Sequence, residues 1–308
     1  MITVTDVVYV RYQAPDLDRM QEFLLDFGMQ VAQRTANALY MRGYGSQPFI
    51  HATEHGADAR ALGFGFLARS EQDLQVIAAE FGVAVTESAE PGGGKRVSVR
   101  DPQGLRVDIL HGMHAATPLP VRKPLKLNPS SERVRHGGTQ RLSAGPSHVM
   151  RLGHLVHKVP DLAASFDFYT RHFGFRISDS YWAEQPQNVI AQFLHCGLGA
   201  AYTDHHTIAL IADSRGGFEH AAFEVIDWDD LALGNQHLAT KPYKHSWGIG
   251  RHIEGSQIFD YWRDPFGNKI EHWTDGDLVN DEYIGGSKPL GPGALAQWGP
   301  PMGDDFMA

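Results

Sequence analysis

The chain has 308 residues, 42% hydrophobic and 20% charged, enough apolar material for one large core or two ordinary ones, which excludes a disordered or fibrous protein. Its 36 acidic against 27 basic residues leave a formal net charge of −9, so no electrostatic footprint for nucleic acid or anionic lipid is present. No apolar run approaches the roughly 18 residues of a membrane span, and MITVTDVVYV lacks a basic segment followed by an apolar core, so a cytoplasmic protein is expected.

In chain order, residues 7 to 29 (VVYVRYQAPDLDRMQEFLLDFGM) give a short apolar run, then Pro-Asp-Leu, then a helical pattern with Leu17, Met20, Leu24 and Phe27 on one stripe. Asp16 stands where unpaired N–H groups open a helix and Gly28 where it stops. VSVRDPQGLRVDIL (97 to 110) reads as strand, Asp-Pro-x-Gly turn, strand. Residues 114 to 148, rich in Pro, Ser, Gly and Arg without periodicity, form a basic linker. The first pattern then recurs over residues 153 to 175 (GHLVHKVPDLAASFDFYTRHFGF), with Leu162, Phe166, Tyr169 and Phe173 as the stripe and Asp161 and Gly174 at its ends. FDYWRDPFGNKIEHW (259 to 273) repeats the closing hairpin, and HTIALIA and EHAAFEV are strand-rich segments between.

The economical reading is an α+β chain of two tandem βαβββ modules: a first over 1–113, the linker over 114–148, a second over 149–275, and a tail over 276–308. The tail is Gly/Pro-rich with Tyr283, Leu295 and Trp298 as apolar anchors, and is expected to cover the site or a subunit interface in a homo-oligomer.

Cys196 is the only cysteine, so an intrachain disulfide and a thiolate zinc cage are excluded and any metal must be held by nitrogen and oxygen. Of 17 histidines 12 lie from His148 onward, which points to the second module. There His154, His220 and Glu271 fall on strand positions, and two imidazoles with one carboxylate suit a non-haem Fe(II) site with positions left open. The first module has Tyr9, Leu62 or Gly63, and Asp108 at the matching places, so it is expected to hold no metal.

GHLVHKVPDL around His154, HHTIAL around His205, HAAF at His220 and above all GRHIEGSQIFDYWRDPFGNKIE (250 to 271) resemble the two-domain type I extradiol catechol dioxygenases of the vicinal oxygen chelate superfamily. The resemblance spans essentially the whole chain, with Asp260 as a departure just before Tyr261. It implies Fe(II), or Mn(II), bound by His154, His220 and Glu271, with His205 as the acid/base group and His252 and Tyr261 hydrogen-bonding the oxygens of a catechol cleaved with O₂. Of the doublet, His205 is expected to face the iron and His206 to face away, because neighbours on a strand point to opposite sides. His157, His172, His195, His245 and His272 are expected to be structural, and Cys196 a buried hydrophobe.

Relatives that cleave homoprotocatechuate hold its carboxylate with arginines; here Trp247 stands at one such position and no Arg follows Arg263. Trp247, Phe259 and Trp298 suggest an apolar pocket for an uncharged substituted catechol, with Arg251 or Lys288 as a substitute cation. Two other readings remain open: a metal-dependent glyoxalase-like isomerase, which would draw ligands from both modules, and a non-catalytic small-molecule-binding protein of the same superfamily.

Overall fold

The computed structural model describes residues 2–291, 293–303 and 305–306. Its first sheet is built by β1 (Val4–Ala14), α1 (Leu17–Asp26), β2 (Gln30–Arg34), β3 (Ala38–Arg42), β4 (His51–His55), β5 (Arg60–Ala68), α2 (Glu71–Phe81), β6 (Thr86–Glu87), β7 (Lys95–Arg100) and β8 (Arg106–His111). The second is built by β9 (Val149–Val159), α3 (Leu162–Phe173), β10 (Phe175–Trp182), β11 (Val189–Cys196), β13 (Ile208–Ala212), β14 (Gly217–Val225), α4 (Trp228–Ala239), β15 (Lys244–His252), β16 (Ile258–Arg263) and β17 (Lys269–Thr274), with β12 (Thr203–Asp204) standing outside it. β18 (Leu278–Val279), β19 (Ser287–Pro289) and β20 (Ala296–Trp298) follow. No helix among the described residues is long and apolar enough to cross a membrane.

The strand orders are β2-β3-β4-β1-β5-β8-β7-β6 and β19-β10-β11-β13-β9-β14-β17-β16-β15-β20. Without β19 and β20 the second order copies the first, strand for strand. Each sheet is thus two βαβββ units joined along their first strands, β1 with β5 and β9 with β14, so the chain carries four units where the sequence repeat reveals two. EHAAFEV is the opening strand of a unit with its own helix, α4. That helix escapes the periodicity because Gly234 and Asn235 interrupt its apolar stripe.

The expected punctuation is present. The Asp16 carboxylate accepts from the backbone N–H groups of Asp18 and Arg19, and Asp161 accepts from Ala164. Gly174 caps α3 at φ 74°, a left-handed conformation that a side chain disfavours. In both closing hairpins the turn aspartate folds back on the loop: Asp101 accepts from Gln103 and Leu105, Asp264 from Phe266 and Asn268. On α3 the buried stripe is Ser165, Phe168, Tyr169 and Phe173, leaving Leu162 and Phe166 at its margin. Phe168 turns inward because α3 also packs on the first domain, where Phe81 meets it edge-on and Asp101 accepts from the Tyr169 hydroxyl at 3.0 Å.

Several ring contacts join the first domain to the centre of the second sheet, and one of them lies beside Glu271. Phe27, at the end of α1, stacks on His272 with ring centroids 3.6 Å apart, and its carbonyl accepts from His272 Nε2 at 2.7 Å. Phe27 also meets Phe223 edge-on and is fully buried. Phe27→Ala is expected to cost about 3–5 kcal/mol of unfolding free energy, from lost transfer energy and the cavity left behind. Denaturant unfolding checks this; a loss below about 1 kcal/mol would mean that the interface relaxes around the gap.

Candidate metal centre and substrate cavity

Strand register assembles the site. Ala222 on β14 pairs with His154 on β9 and with Glu271 on β17, which pairs in turn with Tyr261 on β16. Paired residues share a face, so His154, Ala222, Glu271 and Tyr261 form one row across four strands. Ala222 is the small member of the row and leaves a hollow, into which His220, two residues earlier on the same face, projects. Glu271 Oε2 lies 3.3 Å from His154 Nε2 and 3.2 Å from His220 Nε2.

These three residues present ligand atoms all within 4.8 Å of one another, and all three are buried. Both Glu271 oxygens and His220 Nε2 lack a hydrogen-bond partner among the described residues. Leaving such atoms unsatisfied in the interior is costly unless something else coordinates them. The separations are those of neighbouring donors on a shared ion, roughly 3 Å for bonds of about 2.1 Å at right angles. The residues therefore fit a divalent cation.

Charge around the hollow is arranged to keep it anionic. Burial works to raise the Glu271 carboxyl, but His154, His220 and His252 outweigh it and hold the group well below the usual carboxylate range. Behind the site, the Glu219 carboxylate accepts from His220 Nδ1 and from Lys269, and despite its burial is pulled down to about 2 by these partners. Such a carboxylate fixes which imidazole nitrogen faces the metal. Burial drives the Tyr261 phenol well above its ordinary range, helped by the Glu271 charge, so it stays a donor.

The cavity above the row has a volume of about 260 Å³. His252 Nε2 pairs with the Tyr261 hydroxyl at 2.9 Å, and its Nδ1 donates to the Leu295 carbonyl at 2.8 Å, so the tail orients it. The doublet behaves opposite to the expectation for His205. His206 lines the cavity, its ring centroid 4.2 Å from that of His154, whereas the His205 ring lies behind it against Asp179. β13 begins only at Ile208, and its pairing would indeed put His205 on the His154 face. The bend through residues 205 to 207 shifts the alternation by one residue. Burial, reinforced by its neighbours His154 and His205, holds the His206 imidazole well below its usual range, hence neutral with a single ring proton.

Three substrate contacts expected from sequence need revision. Trp247 lines the cavity, but Arg251 is turned out, donating to the Ser256 carbonyl at 2.6 Å and pairing with Asp275 at 2.7 Å. Phe259 sits beneath the wall, stacked on His252 at 4.1 Å and against Trp247 at 4.2 Å. Trp298, 45% exposed, packs on Trp228 outside the cavity. Gln257, which lies inside the 250 to 271 stretch but is not singled out there, lines the cavity with its buried Oε1 unpartnered among the described residues. Leu290, Leu295 and Phe306 of the tail also wall the cavity. Asp260, the departure from the pattern, points to the other face, where Asn235, His245 and Trp262 Nε1 donate to it.

The corresponding place in the first domain is closed. Gly63 pairs with Arg11 and Arg106 as His220 pairs with Val156 and Lys269, and it offers no donor side chain. The Tyr9 hydroxyl donates to Asp108 at 2.6 Å, Arg106 donates to the same carboxylate, and buried Arg11 is held by Glu54 and Glu90. His157 packs between Phe64 and Phe218, and the Cys196 thiol is buried beside Thr207.

Two imidazoles and a carboxylate on adjacent strands of a doubled βαβββ sheet, below an apolar cavity, define a metal-dependent enzyme of the vicinal oxygen chelate type. Residues 151–272 match the model of the Glyoxalase/Bleomycin resistance protein/Dioxygenase superfamily. The chain is 30% identical to metapyrocatechase 2 of Cupriavidus necator over an alignment of 317 residues, covering 99% of this chain and 92% of that protein. It is 26% identical to an iron-dependent extradiol dioxygenase of Rhodococcus jostii, covering 91% and 92%. In fold it is similar to homoprotocatechuate 2,3-dioxygenase of Brevibacterium fuscum (TM-score 0.80, 17% identity, 99% and 92% covered) and to a Mn(II)-bound glyoxalase of Novosphingobium aromaticivorans (TM-score 0.80, 22% identity, 100% and 94% covered). The chain belongs to the extradiol dioxygenases of this superfamily, Fe(II) enzymes that open a catechol ring with both atoms of O₂.

Glu219→Gln, which weakens the acceptor behind His220, is expected to lower iron affinity by about 10–100-fold while leaving the fold intact. Metal titration of the apoprotein with circular dichroism as a control measures this; unchanged affinity would remove Glu219 from the support of the site.

Proposed function

We propose that this enzyme cleaves uncharged, apolar-substituted catechols beside the diol, with His154, His220 and Glu271 holding Fe(II) and His206, His252 and Tyr261 managing protons. The observation that carries it is the unsatisfied, buried Glu271 carboxylate between two imidazoles at the floor of an apolar cavity. Bound Fe(II) supplies one centre on which a catecholate and O₂ meet. The protein's part is proton placement and exclusion of water. A catechol seated on the row brings its hydroxyls beside Tyr261 and His206. The neutral His206 accepts a proton at Nε2, its Nδ1 being engaged by His205 at 3.1 Å, and later returns it. The Tyr261 phenol, whose single proton points to His252 Nε2 without substrate, turns to the ring oxygen and donates there as negative charge builds. Both atoms of O₂ enter the product, a muconic semialdehyde or keto acid, so no external reductant is consumed.

Substrate class follows from the walls. Val156, Ile190, Phe193, Ile211, Leu290 and Phe306 face the cavity, and among the described residues no arginine does. The charged side chains among its lining residues are the carboxylates Glu219 and Glu254. A substituent carboxylate would be desolvated there without a partner. We expect O₂ uptake stoichiometric with substrate, a new near-visible product band, and kcat/KM higher by at least about tenfold, roughly 1.4 kcal/mol, for alkyl- or aryl-catechols than for carboxylated ones. A carboxylated catechol ranking first would overturn the substrate assignment. Glu271→Ala is expected to lose iron and activity together, and an iron-replete, active variant would sink the ligand assignment.

A further inference from the structure

Behind His206 lies a group of polar residues that the reaction as described does not use. Its Nδ1 meets His205 Nδ1 at 3.1 Å, and His205 Nε2 meets the Asp179 carboxylate at 2.8 Å. Asp179 is itself fixed by the tail: Tyr283 donates its hydroxyl to Oδ2 at 3.0 Å, and the Gly286 N–H donates to Oδ1 at 2.5 Å. Asp179 and His205 are almost entirely buried. Glu254 also lies close enough for Asp179, His205 and Glu254 to resemble a cation cluster, but Lys288 already donates to Glu254 at 2.7 Å, and hydrogen bonds account for every carboxylate in it.

We propose that Asp179 and His205 are positioning residues that set the tautomer of His206, so that a bare Nε2 faces the substrate. An ionised carboxylate only accepts, so His205 Nε2 carries the proton of that bond. In a singly protonated His205 this leaves Nδ1 as an acceptor, and across the 3.1 Å contact His206 Nδ1 must then carry the donated proton. The one nitrogen of His206 left for the cavity is Nε2, with its lone pair free. The arrangement is a carboxylate orienting one imidazole, which orients a second, and its length explains why both histidines of the doublet are buried while only one touches the cavity. Partners on Asp179 hold its carboxyl below the ordinary range against the opposing effect of burial, which keeps it an acceptor.

The inference rests on the reading of His206 as the acid/base group, and the test separates the two. Asp179→Asn offers an amide that donates to His205 Nε2, which reverses both hydrogen bonds and places a proton on His206 Nε2. His205→Gln retains an acceptor for His206 and a donor for Asp179, whereas His205→Phe retains neither. Each Fe(II)-loaded variant is measured for iron content, for anaerobic binding of 3-methylcatechol by its visible spectrum, and for kcat and KM by O₂ uptake. We expect Asp179→Asn and His205→Phe to keep iron and to bind the catechol within about threefold of the parent, but to lose about 100-fold or more in kcat, with His205→Gln retaining most of the parent rate. Parent-like kcat in Asp179→Asn and His205→Phe, beside a large loss in His206→Ala, would overturn the positioning role and leave His206 as the acid/base group. Parent-like kcat in His206→Ala would overturn the underlying reading itself. Equal losses in His205→Gln and His205→Phe, accompanied by lost iron, would reduce His205 to packing and also overturn the inference.

Discussion

Glu271 is 0% exposed and has neither oxygen hydrogen-bonded among the described residues, and the organisation of the second domain follows from the need to compensate it. A carboxylate in that setting is tolerable only when positive charge or a coordinated ion faces it. His154 and His220 supply the near neighbours, Glu219 and Lys269 tie down His220 from behind, and small Ala222 leaves His220 the room to reach Glu271. The apolar walls then follow, since they keep water from screening the same charge. Catalytic and structural demands coincide here: what makes the apo site uncomfortable is what makes it bind metal.

The first domain holds no such hollow, yet it acts on the site through its neighbour. Glu271 is followed by His272, whose imidazole is clamped by the ring and carbonyl of Phe27. On a strand, successive side chains point to opposite faces, so fixing His272 on one side fixes the direction of Glu271 on the other. The closed Tyr9, Asp108 and Arg106 network shows how the same backbone row can instead be stabilised without an ion. Duplication thus produced one half that spends its central row on stability and one that spends it on chemistry.

Much of this was legible in the sequence because it was punctuated locally. The Pro-Asp-Leu entries, the terminal glycines and the Asp-Pro-x-Gly hairpins each depend on hydrogen bonds between residues a few positions apart, and the strand positions of His154, His220 and Glu271 follow from the elements they delimit. What escaped depended on longer-range or irregular geometry. The internal doubling of the second sheet was hidden by the weak stripe of α4. The choice between His205 and His206 turned on a bend that strand alternation cannot anticipate. Arg251 left the cavity because Ser256 and the more distant Asp275 offered it partners, and Gln257, although inside the 250 to 271 stretch, entered it from the loop between β15 and β16, which strand alternation does not describe.

β19 lies beside β10 and β20 beside β15, so one short stretch of chain supplies both outer strands of the ten-stranded sheet while Leu290 and Leu295 between them wall the cavity. Each of these strands is three residues long. Their ladder bonds, each contributing roughly 0.5–1.5 kcal/mol net, are supplemented by Lys288 donating to Glu254, the Leu295 carbonyl accepting from His252 and Trp298 packing on Trp228. The walls on this side of the cavity are thus carried by short edge strands, apart from the inner strands that hold His154, His220 and Glu271 in register.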